Sequence, residues 1–443
     1  MHRADPLRGT HMGWDFETDP DVQRELDWVD EFVRTEIEPV DQVIEHAWNV
    51  HDPARNALIK PLQDVVRDRG LWACHLGPEL GGKGYGQLRL ALLNEQLGRS
   101  HSAPVVFGCQ APDSGNAEIL AHYGTEHLKK TYLEPLVANE IVSCFSMTEP
   151  HGGSDPTGFR TTAVLDGDDW VINGEKWFSS HALFADFLIV MAVTEPDAPR
   201  HKSMSMFVVP ADTPGLERVR DVSVWGHEES VGTHQYLRYT DVRVPAENLL
   251  GERGAGFAVA QTRLGGGRIH HAMRTVGLVT TAFELMKRRA VSRTTKGDRL
   301  ADKQLVAQMI ADTWIELEQF RLLVLRTAWR IDRYNDYRKV RADISAVKAA
   351  MPKVLLDASS RAIQIHGSLG ISTELPFGKW VMESFHMGLA DGATEIHKVN
   401  LAQALLRGTD PDDGLFPPYI RPTLRAAAHD RFADVLAAAA DDD

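Results

Sequence analysis

Three short strings hold residue types that could do chemistry. Thr148-Glu149-Pro150-His151-Gly152-Gly153-Ser154-Asp155 sets hydroxyls beside paired glycines, which let a ligand approach backbone N–H groups and suit a phosphate or cofactor edge. Taken alone, it reads as a domain-boundary turn. Gly265-Gly266-Gly267-Arg268 precedes an apolar-periodic run from Ile269, so glycines and an arginine stand at an expected helix N-terminus, where anions bind. An arginine there opposes the helix dipole. A solvated arginine on a flexible linker explains it equally well. Leu389-Ala390-Asp391-Gly392-Ala393-Thr394-Glu395-Ile396-His397 opens a last helix, with Asp391 at the expected N-cap. Helix capping is the default for such an acid, ahead of catalysis.

Metal chemistry is not expected. His270 and His271 are adjacent, so on a helix they point about 100° apart and do not converge. Cys74, Cys109 and Cys144 are widely spaced with no CxxC pair, so neither a disulfide framework nor a zinc site follows. A reducing, cytoplasmic compartment is the reading.

The elements that must position these strings fall in three blocks. Val29, Phe32, Val33, Ile37 and Val40 recur at helical spacing, as do Leu58, Leu62, Val65 and Val66, and Ser114–Tyr123 and Glu126–Val137 continue the pattern. From Cys144 the pattern turns to strands. Trp170-Val171-Ile172 runs into Asn173-Gly174, a hairpin signal, and Phe187–Val193, Met204–Val209 and Tyr236–Val244 are short β-rich runs between proline-bearing loops. After Gly251 long helices return. Ile269, Ala272, Val276, Val279, Phe283 and Met286 form one stripe, Met309, Thr313, Leu317, Phe320 and Val324 another, and Ala346–His366 a third. Such helices read as a bundle. The expected domains are 12–143 (helical), 144–250 (β), 251–409 (four-helix bundle) and a tail, 410–443, with Met12 as the native start if His11-Met12 is a cloning junction.

Composition narrows the partners. The 443 residues carry 48 Lys and Arg against 62 Asp and Glu, a net charge of −14. That surface repels nucleic acid and anionic membranes, though local arginines can still hold an anion. No apolar run approaches the ~20 residues that span a bilayer, and the first residues lack a signal-peptide pattern.

In order and spacing the strings resemble the acyl-CoA dehydrogenase family over residues 20 to 408. Phe145-Ser146-Met147-Thr148-Glu149-Pro150 with Gly153-Ser154-Asp155 is similar to its first signature, and Asn173-Gly174-Glu175-Lys176-Trp177-Phe178-Ser179-Ser180 to its flavin-facing strand. Asp241-Val242-Arg243-Val244-Pro245, Gln364-Ile365-His366-Gly367 and the Asp391 segment complete the set. The resemblance implies a mainly α fold with a helical N-domain, a middle β-barrel and a C-terminal four-helix bundle, assembled as a homodimer or homotetramer. It implies FAD between β-domain and bundle, held by Phe145, Met147, Thr148, Ser154, Phe178 and Ser180. Arg293, Gln304, Gln364 and Gly367 would reach FAD across a subunit contact. Ala393 and Glu395 stand where relatives contact FAD through threonine and glutamine. Ser154, Arg268 and Gly392 would meet the acyl-CoA, and electron-transferring flavoprotein would be the acceptor.

Departures narrow the branch. Asp391 stands where most relatives carry a glutamate base, and Gly267 where others do. The Arg263–His271 and Leu389–Gly392 strings are similar to the sub-branch of family members ten and eleven, whose larger proteins carry a kinase-like domain for 4-hydroxyacyl-CoA; this chain corresponds to the dehydrogenase module. The resemblance implies α,β-desaturation of an acyl-CoA, long, branched or 4-hydroxylated or phosphorylated. Asp391 would take the α-proton as a hydride passes to flavin N5, and its backbone N–H would bind the thioester carbonyl. Desolvation is expected to raise its pKa. An oxidase of the same fold, similar to nitroalkane oxidase, and a non-catalytic scaffold are the alternatives.

Overall fold

The computed structural model describes residues 16–78, 82–224 and 234–441; Met12, the expected start of the first domain, lies outside them. Seven helices come first: α1 (Pro20–Phe32), α2 (Pro53–Asp68), α3 (Gly86–Leu97), α4 (Ala103–Val106), α5 (Asp113–Tyr123), α6 (Glu126–Leu128) and α7 (Glu134–Val137). The apolar stripe read from the sequence is what they bury: Val29, Phe32, Val33, Ile37 and Val40 are all in the core. Asp52 caps α2 by accepting from the Ala54 N–H at 2.9 Å.

Eight strands follow as one sheet: β1 (Ser143–Ser146), β2 (Thr162–Asp166), β3 (Asp169–Ser180), β4 (Phe187–Val193), β5 (Met204–Pro210), β6 (Leu216–Asp221), β7 (His234–Pro245) and β8 (Leu249–Leu250). They run in the order β6-β7-β3-β2-β4-β5-β8, with β1 parallel to β4. The apolar β4 and β5 are buried throughout except at their last residues, as strands covered on both faces must be.

The expected hairpin at Asn173-Gly174 does not form. β3 runs straight through it, and the turn comes earlier, at Gly167-Asp168 between β2 and β3. Instead, the register against β7 slips between Ile172 and Gly174. Gly174 (φ 147°) is crossed by Thr161, whose Oγ1 would sit 2.5 Å from a Cβ there. Asn173 accepts the Asp241 N–H at 2.9 Å, so both residues serve a bulge rather than a turn.

A two-strand ribbon, β9 (Thr294–Thr295) and β10 (Asp298–Arg299), joins the first two of three long helices, α8 (Gly256–Ser292), α9 (Gln304–Tyr334) and α10 (Tyr337–His366). α11 (Phe377–Leu389) and α12 (Thr394–Leu406) follow, then α13 (Arg421–Arg431) and α14 (Ala433–Asp441). The first and last helical blocks share one core: Phe32, Leu90 and Leu97 pack in the same cluster as Ile269, Phe320 and Met351. A second cluster joins α5 to β4, β5 and the start of α8, and a third fills the β-domain. The β-domain is thereby clamped between two helical blocks.

Candidate active site

The triple glycine is not a helix start. Gly265–Gly267 lie in the third turn of the 37-residue α8, so the expected helix N-terminus at Ile269, and the anion site that goes with it, are absent. Glycine weakens a helix by about 1 kcal/mol relative to alanine, so periodicity fades there although tertiary packing holds the helix. Gly266 and Gly267 allow close approach, whereas Gly265 has room for a methyl. A Cβ on Gly265 would meet the Tyr337 ring at 3.5 Å, one on Gly266 the Glu118 carboxylate at 3.2 Å, and one on Gly267 the Asp391 carboxylate at 3.2 Å.

Asp391 is not an N-cap either. α12 begins at Thr394 with Ala393 in the cap position and no side-chain cap bond. Asp391 sits at φ 55°, in the left-handed region that few non-glycine residues adopt, aspartate among them. The contacts that hold it are visible. Arg268 donates from Nε to the Asp391 carbonyl at 2.8 Å, and His397 Nε2 lies 3.4 Å from the same oxygen. Lys348 Nζ donates to the Met387 carbonyl, and Thr394 Oγ1 to that of Gly388 at 3.1 Å. Arg268, expected to meet ligand, is therefore engaged with the Asp391 turn.

The carboxylate itself stands among cations. His271 Nε2 is 3.8 Å from its Oδ2, and Arg263, Arg268 and Lys348 also face it. Burial pushes Asp391 up, but His271, Arg263, Arg268 and Lys348 together hold it below the usual carboxylate range. Burial in turn pushes His271 down to about 4, so it is charged only in acid, and at neutral pH the cations beside Asp391 are the arginines and Lys348. Arg263 ties three blocks together: its Nε donates to Asn116 on α5 at 2.9 Å, and its guanidinium lies 3.9 Å over the Phe145 ring of β1.

The β-domain presents a second cluster. Phe178 is 40% exposed and holds φ 52°, at a register slip between β3 and β7, where an aromatic side chain has no local reason to be. Its ring stacks obliquely on His234 at 5.2 Å, and His234 meets His386 of α11 edge-on at 5.9 Å. Phe178 is therefore joined through two histidines from the sheet to the bundle. Ser180 Oγ is 2.8 Å from His234 Nδ1. Beneath, Lys176 and Glu149 form a fully buried pair at 3.0 Å; Lys176 also donates to the Met147 carbonyl, while Glu149 accepts the Arg160 and Thr161 N–H groups. The Trp177 N–H donates to the Thr148 carbonyl at 2.8 Å, fixing Met147 and Thr148 beside β3.

The remaining expected residues divide cleanly. Phe145, Met147, Thr148 and Ser180 are half-buried in this region, and Gly392 and Ala393 in the Asp391 turn, with Glu395 exposed just beyond; Ser154 is exposed on its loop. Arg293, Gln304, Gln364 and Gly367 are all exposed and lie apart, at the end of the bundle where Arg361 pairs with Glu316 and Arg289 faces His366. Arg263, His271, Lys348 and Glu118 were not singled out from sequence as site residues. Arg263, Gly267 and His271 were legible as i, i+4, i+8 on one helix face; Lys348 and Glu118 carry no local signal.

Comparison with known proteins agrees with this geometry. Profiles of the N-terminal, middle and C-terminal domains of acyl-CoA dehydrogenases match residues 20–140, 144–242 and 254–406. FadE2 of Mycobacterium tuberculosis, an assigned acyl-CoA dehydrogenase, is 43% identical over 79% of this chain and 86% of its own length. Acyl-CoA dehydrogenase family member 11 of Gallus gallus is 39% identical over 85% of this chain, which spans 49% of that larger protein. Among solved structures, a candidate acyl-CoA dehydrogenase from Mycobacterium abscessus superposes with TM-score 0.82 at 37% identity, covering 88% of this chain and 99% of that one. The glutaryl-coenzyme A dehydrogenase solved with glutaryl-CoA gives 0.74 at 26%, covering 91% and 100%. Three consecutive domain profiles, and a relative matched over most of both lengths, lead to one conclusion: the chain belongs to the acyl-CoA dehydrogenase family.

Proposed function

We propose that the chain is an FAD-dependent acyl-CoA dehydrogenase with Asp391 as the α-proton base. The observation that carries this reading is the Asp391 turn: a left-handed aspartate, its carbonyl held by Arg268, its carboxylate set against a glycine. A cap or a surface acid needs none of these. Surrounding cations keep the carboxylate ionised and ready to accept a proton, and Gly267 lets it pack against α8 with no Cβ in its way.

The residues around Phe178 suit a flavin. Phe178 offers an exposed aromatic face, Ser180 a hydroxyl, and the Phe145–Thr148 segment a backbone edge fixed from below by the buried Lys176–Glu149 pair. Bound there, FAD would supply the acceptor for the β-hydrogen. Phe145, Met147, Thr148, Ser154, Phe178 and Ser180 would hold its ring side, with Ala393 and Glu395 nearby. Arg293, Gln304, Gln364 and Gly367, exposed at the far end of the bundle, suit contacts to FAD in a second copy of the chain. Ser154, Arg268 and Gly392 belong to the thioester side, Arg268 acting through the Asp391 turn that it fixes. The Asp391 N–H would polarise the thioester carbonyl as the enolate develops.

Electron-transferring flavoprotein is the proposed acceptor, and a cytoplasmic setting fits the three buried, unpaired cysteines. Among the described residues no helix is long and apolar enough to cross a membrane. The proposed substrate carries a long, branched or 4-hydroxylated or phosphorylated acyl chain. The test is an anaerobic titration of the visible flavin spectrum with saturated, branched and 4-hydroxy or 4-phospho acyl-CoAs. Bleaching by one class is expected; flavin that no thioester bleaches would overturn the reading.

A further inference from the structure

A buried ion pair of the β-domain touches the Met147–Thr148 peptide. Lys176 is fully buried, with its Nζ 3.0 Å from Glu149 Oε1 and 4.8 Å from the centre of the Phe159 ring. Its third contact is a backbone carbonyl: Nζ donates to that of Met147 at 2.8 Å. Glu149 is occupied on both oxygens, taking the Arg160 N–H at 2.7 Å and the Thr161 N–H at 2.9 Å, with His151 Nε2 at 3.2 Å. Burial pushes Lys176 down to about 8. It pushes Glu149 up, but Lys176 and the Thr161 and Arg160 groups hold that carboxyl below the usual range. The pair is therefore ionised at neutral pH.

Stability does not account for this lysine. A buried ion pair is often no better than apolar residues of the same volume, and Glu149 already pins its loop through two N–H groups. What Lys176 adds is its bond to the Met147 carbonyl. A trans peptide is planar, and its C=O and N–H point in opposite directions. The Met147 carbonyl points at the ammonium, so the Thr148 N–H points away from it. Among the described residues that N–H has no partner, although the Thr148 carbonyl is held by the Trp177 N–H at 2.8 Å. Backbone donors in such half-buried positions are normally paired, so this one is available to a ligand.

We propose that Lys176 tunes the flavin: bonded to the Met147 carbonyl, it strengthens the Thr148 N–H as a donor and so raises the reduction potential of FAD bound against that edge. This deepens the proposed function and rests on its placing FAD at the Phe145–Thr148 segment. The hydride leaving the acyl β-carbon brings two electrons and one proton, so the flavin ring gains one negative charge. A stronger donor on the ring edge stabilises that charge more than it stabilises the uncharged oxidised ring. Lys176 touches no reacting atom and acts through one peptide unit, which makes it a positioning residue. Polarisation along bonded chains strengthens each bond by about 10–30%. On a charged acceptor that gives a two- to fivefold shift in the reduction equilibrium, or about 10–20 mV for two electrons.

Met147–Thr148 is the one Met-Thr step in the sequence. Labelling with ¹³C-carbonyl methionine and ¹⁵N-threonine therefore gives a single carbonyl-to-amide NMR peak from that peptide. The peak is compared between wild type and the Lys176→Met/Glu149→Gln double variant, which removes both charges and strands neither. In the flavin-loaded proteins the two-electron potential is measured against reference dyes at neutral pH, with no acyl-CoA present. The double variant is expected to keep its flavin and unfolding temperature, to move the Met147 carbonyl and Thr148 amide signals upfield, and to lower the potential by about 10–20 mV. Wild-type values for both readouts, or a change in only one of them, overturns the proposal. If this variant does not fold or does not hold flavin, Lys176→Gln/Glu149→Gln takes its place under the same criteria. Wild-type protein that takes up no flavin means that the proposed function fails, and the peak then decides whether Lys176 polarises the peptide.

Discussion

The Asp391 turn and the Phe178 strand approach His386 from opposite sides of the chain's domain boundary but are built differently. Phe178 belongs to β3, whose ladder to β7 fixes the backbone on either side of the slip, with a buried Lys176–Glu149 pair bracing it from below. Its geometry is set within one sheet. Asp391 lies between two helices with no ladder, and its position depends on side chains from elsewhere: Arg268 from α8, Lys348 from α10 and His397 from α12. The difference teaches where each fails. Damage to the strand should appear as lost stability and lost flavin, whereas damage to the turn should appear as lost chemistry in a folded protein.

The largest effect tests the turn. Asp391→Asn should keep flavin and fold but lower the bleaching rate by about 10²–10⁴-fold, the range for a positioned acid or base. Stopped-flow reduction measures it, and a normal rate would remove Asp391 as base. Next comes the strand: Glu149→Gln strands Lys176 as an unpaired buried cation, which costs about 3–5 kcal/mol. Denaturant unfolding should fall by that amount, with flavin released. If instead flavin stays bound and only turnover suffers, the contrast between the two regions collapses.

Gly267→Ala sharpens the contrast because its two effects have opposite signs. The added methyl crowds the Asp391 carboxylate at 3.2 Å and should lower the reduction rate about tenfold. The same change improves helix propensity by up to about 1 kcal/mol, so thermal unfolding should hold or rise. Equal losses of rate and stability would mean the glycine serves packing alone.

The smallest effect concerns pH. Burial holds His181 of the β-domain near 3, where it stacks on Trp48 at 4.7 Å, and His271 and His397 beside the turn near 4. Each binds a proton more readily when unfolded, with a pKa of about 6.5, so stability is full above that pH and declines as pH falls toward 4. His181→Phe should flatten that acid decline in a series of melts at pH 4 to 7 while leaving the Asp391 titration unmoved. An unchanged slope would mean that His181 is no part of the acid response.

Much of the fold was legible because it rests on local periodicity. The stripes Ile269–Met286 and Thr313–Val324 are buried almost as read, and the apolar runs at Phe187 and Met204 became β4 and β5. Three local signals misled, each where tertiary contact overrides propensity. Asn173-Gly174 became a bulge because Thr161 crosses it, Gly265–Gly267 stayed helical because neighbours press on them, and Asp391 was pulled out of the cap position by Arg268 and His397.

The sequence by itself determined the order of helical, β and helical blocks, the buried stripes, and the short strings that share a family's spacing. These follow from side-chain period and local backbone preference, which act over a few residues. Only the tertiary structure decided what surrounds Asp391. Arg263, Arg268, His271 and Lys348 precede it by 43 to 128 positions in the chain, and electrostatics depends on distance in space, which no local pattern encodes.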